Sequence, residues 1–511
     1  MLLFAIELLV AVCSATQWAQ RGGDVLPLTA HERSGYDVEI SSDGMRLVVG
    51  APNYDGQRGL ARVYDFNGTS WTLSGELAGP HPRSEYGTCV ALSPNGMRVA
   101  VGAFAYDTYK MAPEFVYSYD SPSPNLGMVQ VFEYGTGVGW QQLGGDLIGN
   151  VPDAYFGQGL ALSGDGGRIA IGATGAACDA VNHGQCHGEV RVFEYSSSTG
   201  WTQLGSAIEG VTLDTSKSWG EAVSLSTDGL RLAASARNYG GFVTGGHVRV
   251  FEYDTDAGDW VQMGGAIEGG GRGYFGMALQ LSGDGLTFIA GATINSEHGS
   301  NTGLARVYRY SGSTGSWQQL GDDLLGKKTV MHKYGEAVAL SADGNRVAVS
   351  SVRDDGYVHV FELSEDGTSW ALMGGGDLTG GADASDFGHS IALSADGFHI
   401  AVGDDNVAYP LQQLWSAGKV QVFHWPYPSP PPASPPMVPS PANPPLAPDN
   451  AELHELVKTL SAQIDSLEDL LTRQVGCLNV TEVEGGPAGV CRLQPAAGGA
   501  FIDLSIRAPP P

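Results

Sequence analysis

Residues 156–174 read FGQGLALSGDGGRIAIGAT, two short runs of small and aliphatic residues on either side of an Asp-Gly pair. Alternating or β-branched runs of this length are typical of β-strands. Asp-Gly suits the positive φ angles of a tight hairpin. The stretch therefore predicts two antiparallel strands joined by a short turn.

The same phrase occurs seven times along the chain. Its anchoring glycines are Gly35, Gly87, Gly157, Gly220, Gly276, Gly335 and Gly388. They are 52, 70, 63, 56, 59 and 53 residues apart, a period of about 59 residues. In each repeat a third β-like segment such as 190–193 follows a variable loop, and a fourth such as 140–144 opens with tryptophan. Four antiparallel strands per repeat predict the blades of a β-propeller.

The tryptophan segments decide how the ring closes. They begin at positions 18, 71, 140, 201, 260, 317 and 370, whereas the seventh repeat ends at Phe423 without one. The segment 18–24 instead precedes the first repeat, so we expect it to complete the last blade and remove the exposed edges. The predicted fold is all-β: a seven-bladed β-propeller of four-stranded antiparallel blades over residues 16–425, with N-terminal strand closure.

Paired motifs connect the repeats to a known family. Phe156-Gly157 with Ile171-Gly172-Ala173, and Val49-Gly50-Ala51-Pro52, resemble the FG-GAP repeats of integrin α-chain propellers. The resemblance spans about residues 18–425 and implies the same fold and a general adhesion or recognition role. Several integrin repeats carry an Asp-rich calcium loop between the first two strands, but here that place holds only Ser-x-Asp-Gly. One aspartate cannot supply the six or more oxygens that calcium needs, so we expect no metal and no cofactor.

Composition and the first residues indicate export. The 511 residues include 27 basic and 55 acidic side chains, a net charge of −28, which makes nucleic acid an improbable partner. An apolar run over 2–12, followed by Cys13-Ser14-Ala15, predicts a signal peptide at 1–15. The run is too short to cross a bilayer. We expect a secreted protein of the cell surface, wall or matrix, without membrane insertion.

Five cysteines remain after the signal peptide. Local spacing suggests the pairs Cys178 with Cys186 and Cys477 with Cys491, although Cys477 could instead join two chains. Cys89 lies in an apolar stretch and is expected to be a buried thiol. Sequons predict glycosylation at Asn67 and Asn479.

The tail contains three segments. Twelve of the twenty-three residues at 426–448 are proline, which predicts an extended linker. Residues 449–476 predict an amphipathic or coiled-coil helix, and 477–511 a small cysteine-containing segment. Heptad spacing favours a parallel homodimer through Leu453, Val457, Leu460, Ile464, Leu467 and Leu471. The alternative is a helix that lies on the protein's own surface.

Loop lengths indicate the candidate binding surface. The loops after the second and fourth strands share one face, and all the length variation occurs there. The largest loop, 104–126, carries aromatic side chains that suit a sugar or a protein partner: Phe104, Tyr106, Tyr109, Phe115, Tyr117 and Tyr119. The alternative is that these rings pack the loop onto its own blade.

These observations favour a secreted, non-catalytic recognition, adhesion or matrix protein that binds a protein or glycan through the loop face. One alternative is a structural component of a cell wall or surface appendage. Another is a carbohydrate-active enzyme with its site in the propeller channel, which requires at least two carboxylates converging there. The sequence contains neither Gly-x-Ser-x-Gly nor His-Glu-x-x-His, so no hydrolase residue is named.

Overall fold

A computed structural model describes residues 17–106, 125–179, 185–211, 218–237, 245–270, 273–327, 333–353, 356–381, 386–408 and 416–426, and three strands near the C-terminus. Residues 1–428 and 429–511 form two separate units.

The first unit contains seven antiparallel sheets of four strands each, extended in three cases by a short fifth segment. The prediction of a seven-bladed β-propeller is therefore confirmed.

The first three blades hold these strands. Blade 1 contains β2 (Val38–Ile40), β3 (Arg46–Ala51), β4 (Leu60–Phe66) and β5 (Trp71–Ala78). Blade 2 contains β6 (Cys89–Leu92), β7 (Arg98–Ala103), β8 (Met128–Gly135), β9 (Gly139–Gln142) and β10 (Leu147–Ile148). Blade 3 contains β11 (Phe156–Leu162), β12 (Arg168–Ala173), β15 (Glu189–Ser196), β16 (Gly200–Gln203) and β17 (Ile208–Glu209). Between β12 and β15 the strands β13 (Cys178–Asp179) and β14 (Gln185–Cys186) pair with each other.

The other four blades repeat the plan. Blade 4 contains β18 (Val223–Leu225), β19 (Arg231–Ala236), β20 (His247–Asp254), β21 (Asp259–Gln262) and β22 (Ile267–Glu268). Blade 5 contains β23 (Phe275–Leu281), β24 (Thr287–Ala292), β25 (Leu304–Ser311) and β26 (Ser316–Gln319). Blade 6 contains β27 (Val338–Leu340), β28 (Arg346–Ser351), β29 (Tyr357–Leu363) and β30 (Trp370–Leu372). Blade 7 contains β31 (Ser390–Leu393), β32 (His399–Asp404), β33 (Lys419–His424) and β1 (Ala19–Gln20). Short helical turns lie at Tyr54–Gln57 and Met373–Gly375.

The N-terminal strand closes the ring, as predicted. In the seventh sheet, β1 pairs antiparallel with β33, Ala19 opposite His424. The Trp18 and Trp425 rings meet edge to face with centroids 5.5 Å apart. The first and last repeats therefore belong to one continuous ring.

The FG-GAP-like motifs form the contacts between neighbouring blades. Six of the seven phrases have an aromatic residue before the anchoring glycine, and each of these is buried, as Tyr86 and Phe156 show. A Cβ atom placed on Gly50, in the second strand of blade 1, would lie 2.1 Å from the Gly87 carbonyl oxygen of blade 2. The same contact joins Gly102 to Gly157 at 2.5 Å. Glycine at this position lets two blade backbones touch in five of the seven blades, whereas blades 4 and 6 carry Ser235 and Ser350 there.

Tryptophan side chains join the blades at their outer edges. Trp201 Nε1 donates to the Leu143 carbonyl of the preceding blade at 2.8 Å, and Trp260 Nε1 donates to the Leu204 carbonyl at 2.9 Å. Trp71 Nε1 donates in the same way to the Arg21 carbonyl, which links blade 1 to the N-terminal segment of blade 7. The ring is thus also closed by side-chain hydrogen bonds.

The second unit, 429–511, contains one small antiparallel sheet in the order β34 (Thr481–Glu482), β35 (Val490–Leu493) and β36 (Ile502–Ser505). These three strands were not predicted from the sequence. The linker beyond Pro426, the helix predicted at 449–476 and its proposed dimer residues lie outside the described residues.

Candidate functional site: the central channel and its rim

The first strand of every blade lines a central channel with a volume of about 590 Å³. Each first strand ends in a Ser-x-Asp-Gly turn, or Ser-x-Asn-Gly in blade 2, where, for example, Ser41 Oγ donates to Asp43 Oδ1 at 2.6 Å. At this end neighbouring turns bond through their backbones in a closed ring at 2.7 to 3.4 Å: Ser42 to Pro94, Asn95 to Gly164, Gly164 to Thr227, Thr227 to Gly283, Gly283 to Ala342, Ala342 to Ala395 and Ala395 to Ser42.

This turn end is the narrow end of the channel. Further along, neighbouring first strands are linked through a side chain instead of directly: Val90 N donates to Asp37 Oδ2, and Leu281 N donates to Ser224 Oγ. An inserted side chain sets the backbones further apart than a direct hydrogen bond does. The channel therefore widens away from the turns.

Two rings of aliphatic side chains line the channel wall. One ring is Val38, Val90, Leu160, Val223, Leu279, Val338 and Ile391, and the other is Ile40, Leu92, Leu162, Leu225, Leu281, Leu340 and Leu393. Each ring takes one residue from the same position of every repeat. These side chains also belong to the buried cores between neighbouring blades, and polar groups share the channel surface with them.

Blade 1 places two carboxylates on this wall. Asp37 and Glu39, two residues apart and so on one side of the same strand, both line the channel. The other six blades carry uncharged residues at the Asp37 position: Cys89, Gly159, Ala222, Ala278, Ala337 and Ser390. At the Glu39 position they carry Ala91, Ala161, Ser224, Gln280, Ala339 and Ala392.

Burial perturbs both carboxyl groups. Burial raises the pKa of Asp37 to about 6, although its oxygens accept hydrogen bonds from Val90 N at 2.7 Å and Val38 N at 3.1 Å. Burial and the neighbouring Asp37 charge raise the pKa of Glu39 to about 8. In the described part of the chain, no lysine or arginine forms an ion pair with either group. The channel thus holds two neighbouring acids without a cationic partner.

Cys89 stands beside these acids. The sequence predicts a thiol buried in the core, whereas Cys89 is half-buried and lines the channel. It is a free cysteine, and burial with the Asp37 charge raises the pKa of its thiol well above the usual value. The thiol is therefore a neutral hydrogen-bonding neighbour of Asp37 and not a thiolate nucleophile.

Aromatic and charged groups border the channel opposite the turns. The Tyr36 and His389 rings, which line it, have centroids 5.0 Å apart, and the Arg33 guanidinium lies 4.6 Å from the Tyr36 ring centroid. Arg33 pairs with Asp405, whose side chain is fully buried. The other Asp405 oxygen lies 3.8 Å from His389 Nδ1 and has no hydrogen-bond partner.

Glu221 occupies another part of the same border. It lines the channel and pairs with Arg237 at 2.9 Å. Burial raises its pKa, while Arg237 acts in the opposite direction. Unlike Asp37 and Glu39, this carboxylate has its charge partner within the protein.

One backbone position repeats around this border. Two residues before the anchoring glycine, five of the seven blades place a non-glycine residue at φ of 52° to 55°: Arg33, Glu85, Tyr155, Tyr274 and Lys333. Ser218 and Asp386 hold the same position in the other two blades. Such left-handed conformations are uncommon for non-glycine residues. We call these seven residues the rim: equivalent positions of the seven blades present six different residue types.

The predicted aromatic loop is only partly described. Phe104 is half-buried, with its ring centroid 6.2 Å from that of Tyr155. Tyr106 is 3% exposed, packs in the core of its blade and lies 5.0 Å from the His81 ring. For Tyr106 the structure thus favours packing, the alternative stated above, over an exposed platform. The remaining predicted residues, Tyr109, Phe115, Tyr117 and Tyr119, lie outside the described residues.

The other predicted sites are placed as follows. The backbone sets Cys178 directly opposite Cys186, a register compatible with the predicted pair, which stays a prediction. Cys491 lies in β35, whereas Cys477 lies outside the described residues. Asn67 is exposed in the turn between β4 and β5, where a glycan has access. Asn479 and the predicted signal peptide also lie outside the described residues.

Within the described ranges, one further group of side chains has the composition of a metal site: Glu297, His298 and Asp323. Arg306 pairs with Glu297 at 2.6 Å and with Asp323 at 2.7 Å. Its guanidinium forms ion pairs with both carboxylates. The cluster is therefore an ion-pair network of blade 5.

Sequence reasoning overlooked Asp37 and Glu39, although a signal was present. When the seven repeats are aligned on their anchoring glycines, the first repeat has acids at two positions where the other six have uncharged residues.

No helix in the described part of the chain is both long and apolar enough to cross a membrane. No protein-family model matches the chain, and no curated protein matches it significantly.

Proposed function

We propose that this chain is a secreted, non-catalytic recognition or adhesion protein whose propeller binds an extracellular protein or glycan through the rim and the loops beside it. The observation that carries this proposal is the rim itself. Seven equivalent positions, one at the start of each first strand, lie at the end of the ring opposite the turns, and their side chains include two tyrosines, two cations and two acids. Varied side chains on a uniform framework are typical of a binding surface.

The framework supports this interpretation. Glycine contacts, tryptophan hydrogen bonds and the ring at the turn end hold the blades in fixed positions. A rigid scaffold places binding side chains accurately, which lowers the entropy cost of association. The resemblance to FG-GAP repeats supports the same role.

The predicted tail adds a second element to the proposal. A proline-rich linker would separate the propeller from a heptad helix, and pairing of two such helices would hold two propellers on one stalk. Two weak contacts would then become one avid contact. Secretion, glycosylation and the two cysteine pairs belong to the same proposal.

The test is capture on glycan and surface-protein arrays by the full-length secreted chain. A double variant Tyr155→Ala and Tyr274→Ala removes both rim rings, and Met97→Ala, exposed at the turn end, is the control. We expect the rim variant to lose about tenfold or more in affinity, since stacked aromatic rings are frequent hot spots. No capture by wild type, or equal loss in Met97→Ala, would contradict the proposal.

A second candidate function has one observation in its favour. Asp37 and Glu39 are the paired channel carboxylates that a carbohydrate-active enzyme requires, and the raised pKa of Glu39 would keep it protonated as a general acid. Both groups, however, project from one strand, whereas glycoside hydrolysis needs carboxyl groups on both sides of the scissile bond. Recognition is therefore our first proposal.

Aryl glycosides of several sugars test the enzyme directly. Hydrolysis by wild type that falls at least about a hundredfold in Glu39→Gln, but not in the surface variant Glu365→Gln, would establish catalysis. Equal rates in all three proteins would exclude Glu39 as a catalytic acid.

A further inference from the structure

We propose that the closure of the ring responds to pH: mild acidification releases the N-terminal strand β1 from blade 7, because two histidines, His399 and His424, stand at this closure in place of an arginine and an acid. We call these two residues the seam pair. The inference concerns the closure of the propeller and does not depend on the proposed recognition function.

The other blades show what the seam pair replaces. In each blade the first residue of the second strand lies opposite a fixed position of the third strand. Blade 5 has Thr287 opposite Arg309, whose Nε donates to the threonine hydroxyl at 3.2 Å. Blade 7 places His399 opposite His424. The remaining five blades place an arginine opposite an acid, and each of these pairs forms a salt bridge: Arg46 with Asp65, Arg98 with Glu133, Arg168 with Glu194, Arg231 with Glu252 and Arg346 with Glu362.

The arginine of this position also joins neighbouring blades. Arg46 Nη1 donates to the Gly96 carbonyl in the turn of blade 2 at 2.7 Å, and blades 3, 4 and 6 repeat this bond to the next blade. His399 occupies the equivalent place between blades 7 and 1, since a Cβ atom on Gly44 would lie 2.6 Å from its Cγ. Its Nδ1 is buried and has no hydrogen-bond partner among the described residues. The junction that closes the ring therefore lacks the bond that Arg46 forms at its own junction.

His424 connects the seam pair to the N-terminal strand. It lies in β33, between β32 and β1, with His399 as its register partner on one side and Ala19 on the other. Its Nδ1 is also buried without a hydrogen-bond partner in the described part of the chain. β1 is two residues long, and directly after it Arg21 N donates to the Val422 carbonyl at 2.7 Å. So short a strand opens at a smaller cost in free energy than the long strands of a sheet.

Positive charge collects at the seam pair. Arg21 Nη1 donates at 3.3 Å to a carbonyl of the blade 1 turn, the turn against which His399 packs. Asp396 Oδ1 lies 3.9 Å from His399 Nδ1, and the Asp43 and Asp396 carboxylates both act on Arg21. The charges that act on His424 come from His399 and Arg21 and are both positive. Protonating both histidines would therefore place three cations at the closure of the ring.

The direction of the pH effect follows from His424. Burial, the His399 charge and the Arg21 charge lower its pKa below the usual histidine value of about 6.5. Release of β1 would expose His424 to water and carry Arg21 away, so the open ring binds this proton more readily than the closed ring. The contribution of His424 to closure is therefore fully present above about pH 6.5 and decreases as the pH falls below that value.

Hydrogen–deuterium exchange of the full-length protein, followed by mass spectrometry at pH 7.5 and pH 5.5, tests the proposal. Rates are corrected for the intrinsic effect of pH on amide exchange. We expect a peptide covering 17–24 to exchange about fivefold or more faster at pH 5.5, and a peptide covering β26 in blade 5 to keep its corrected rate. Faster exchange in both peptides would indicate general unfolding and overturn the proposal, as would equal corrected rates for 17–24 at the two pH values.

Substitutions in the seam pair identify the groups responsible. His399→Arg combined with His424→Glu rebuilds the arginine and glutamate pair of blades 2, 3, 4 and 6, and we expect its 17–24 peptide to exchange at the same corrected rate at both pH values. His424→Gln removes the titrating ring without adding a charge and should give the same result even where the double variant fails to fold. His31→Asn, at an exposed histidine outside the seam pair, is the control and should respond to pH like wild type. An unchanged response in His424→Gln, or a lost response in His31→Asn, would overturn the proposal.

Discussion

Asp37 and Glu39 illustrate how position within a repeat changes the chemistry of an ordinary side chain. On the outside of a blade both would be ionised at neutral pH. On the channel wall, desolvation and like-charge repulsion favour the protonated forms.

This environment predicts a pH dependence of stability. The folded-state pKa values, about 6 for Asp37 and about 8 for Glu39, lie above the unfolded values, so the folded protein binds more protons between about pH 4 and pH 8. Stability from these two groups therefore falls as pH rises through that interval. We expect Glu39→Gln to be the more stable protein at pH 8 by about 4 kcal/mol, and the difference to vanish near pH 4.

Thermal unfolding of both proteins between pH 4 and pH 9 measures this difference. The opposite sign at pH 8, or a difference independent of pH, would show that Glu39 is not held in a desolvated site. Glu365→Gln should give parallel curves with wild type.

A substitution at Gly50 tests the contact between blades 1 and 2. An alanine Cβ at this position would meet the Gly87 carbonyl oxygen at 2.1 Å, so two backbones must separate. We expect Gly50→Ala to destabilise the protein by about 1–3 kcal/mol. In Gly23→Ala nothing lies within 4 Å of the new atom, so its thermal midpoint should match that of wild type. Equal midpoints for both variants would contradict the proposed role of the glycine.

At the scale of elements, the strands followed from the sequence but some of their details did not. The segment 140–144 was predicted as one strand, whereas β9 ends at Gln142 and β10 resumes the pairing with β8 beyond a glycine at φ 75°, Gly144. The period identifies strands because each must bury one face. It does not report where backbone geometry interrupts them.

The candidate site was harder to predict than the fold for a related reason. Repetition reveals the residues that recur in every blade, such as the anchoring glycine Gly87 and the tryptophan Trp201. A binding site depends on the residues in which one blade differs, such as Asp37 and Glu39, or on loop side chains such as Tyr106, whose burial is decided by tertiary packing.

The tryptophan hydrogen bonds offer a test of how blades are joined. Trp201→Phe keeps most of the ring but removes the hydrogen bond from Nε1 to the Leu143 carbonyl. We expect a loss of about 1 kcal/mol in the free energy of unfolding. Trp140→Phe is the matched control, because Trp140 Nε1 is buried without a hydrogen-bond partner, and its removal should cost less. Urea unfolding of both variants gives the comparison, and a larger loss in Trp140→Phe would contradict the assignment.

At the scale of the whole molecule, closure by the N-terminal strand makes the channel possible. Seven first strands surround one axis only if the seventh blade is complete, and β1 completes it. The rim and the two carboxylates of the channel wall both depend on that ring.

An engineered disulfide between Ala19→Cys and His424→Cys tests this closure most directly. These residues are register partners, and antiparallel partners have Cα atoms about 4.5–5.5 Å apart, within the range of a disulfide. Peptide mapping by mass spectrometry after oxidation should show the 19–424 link in high yield, and no link when Ala19→Cys is combined with Ser313→Cys in the turn of blade 5. Failure of the 19–424 pair to form, or an equal yield of the 19–313 link, would contradict a ring sealed by its first strand.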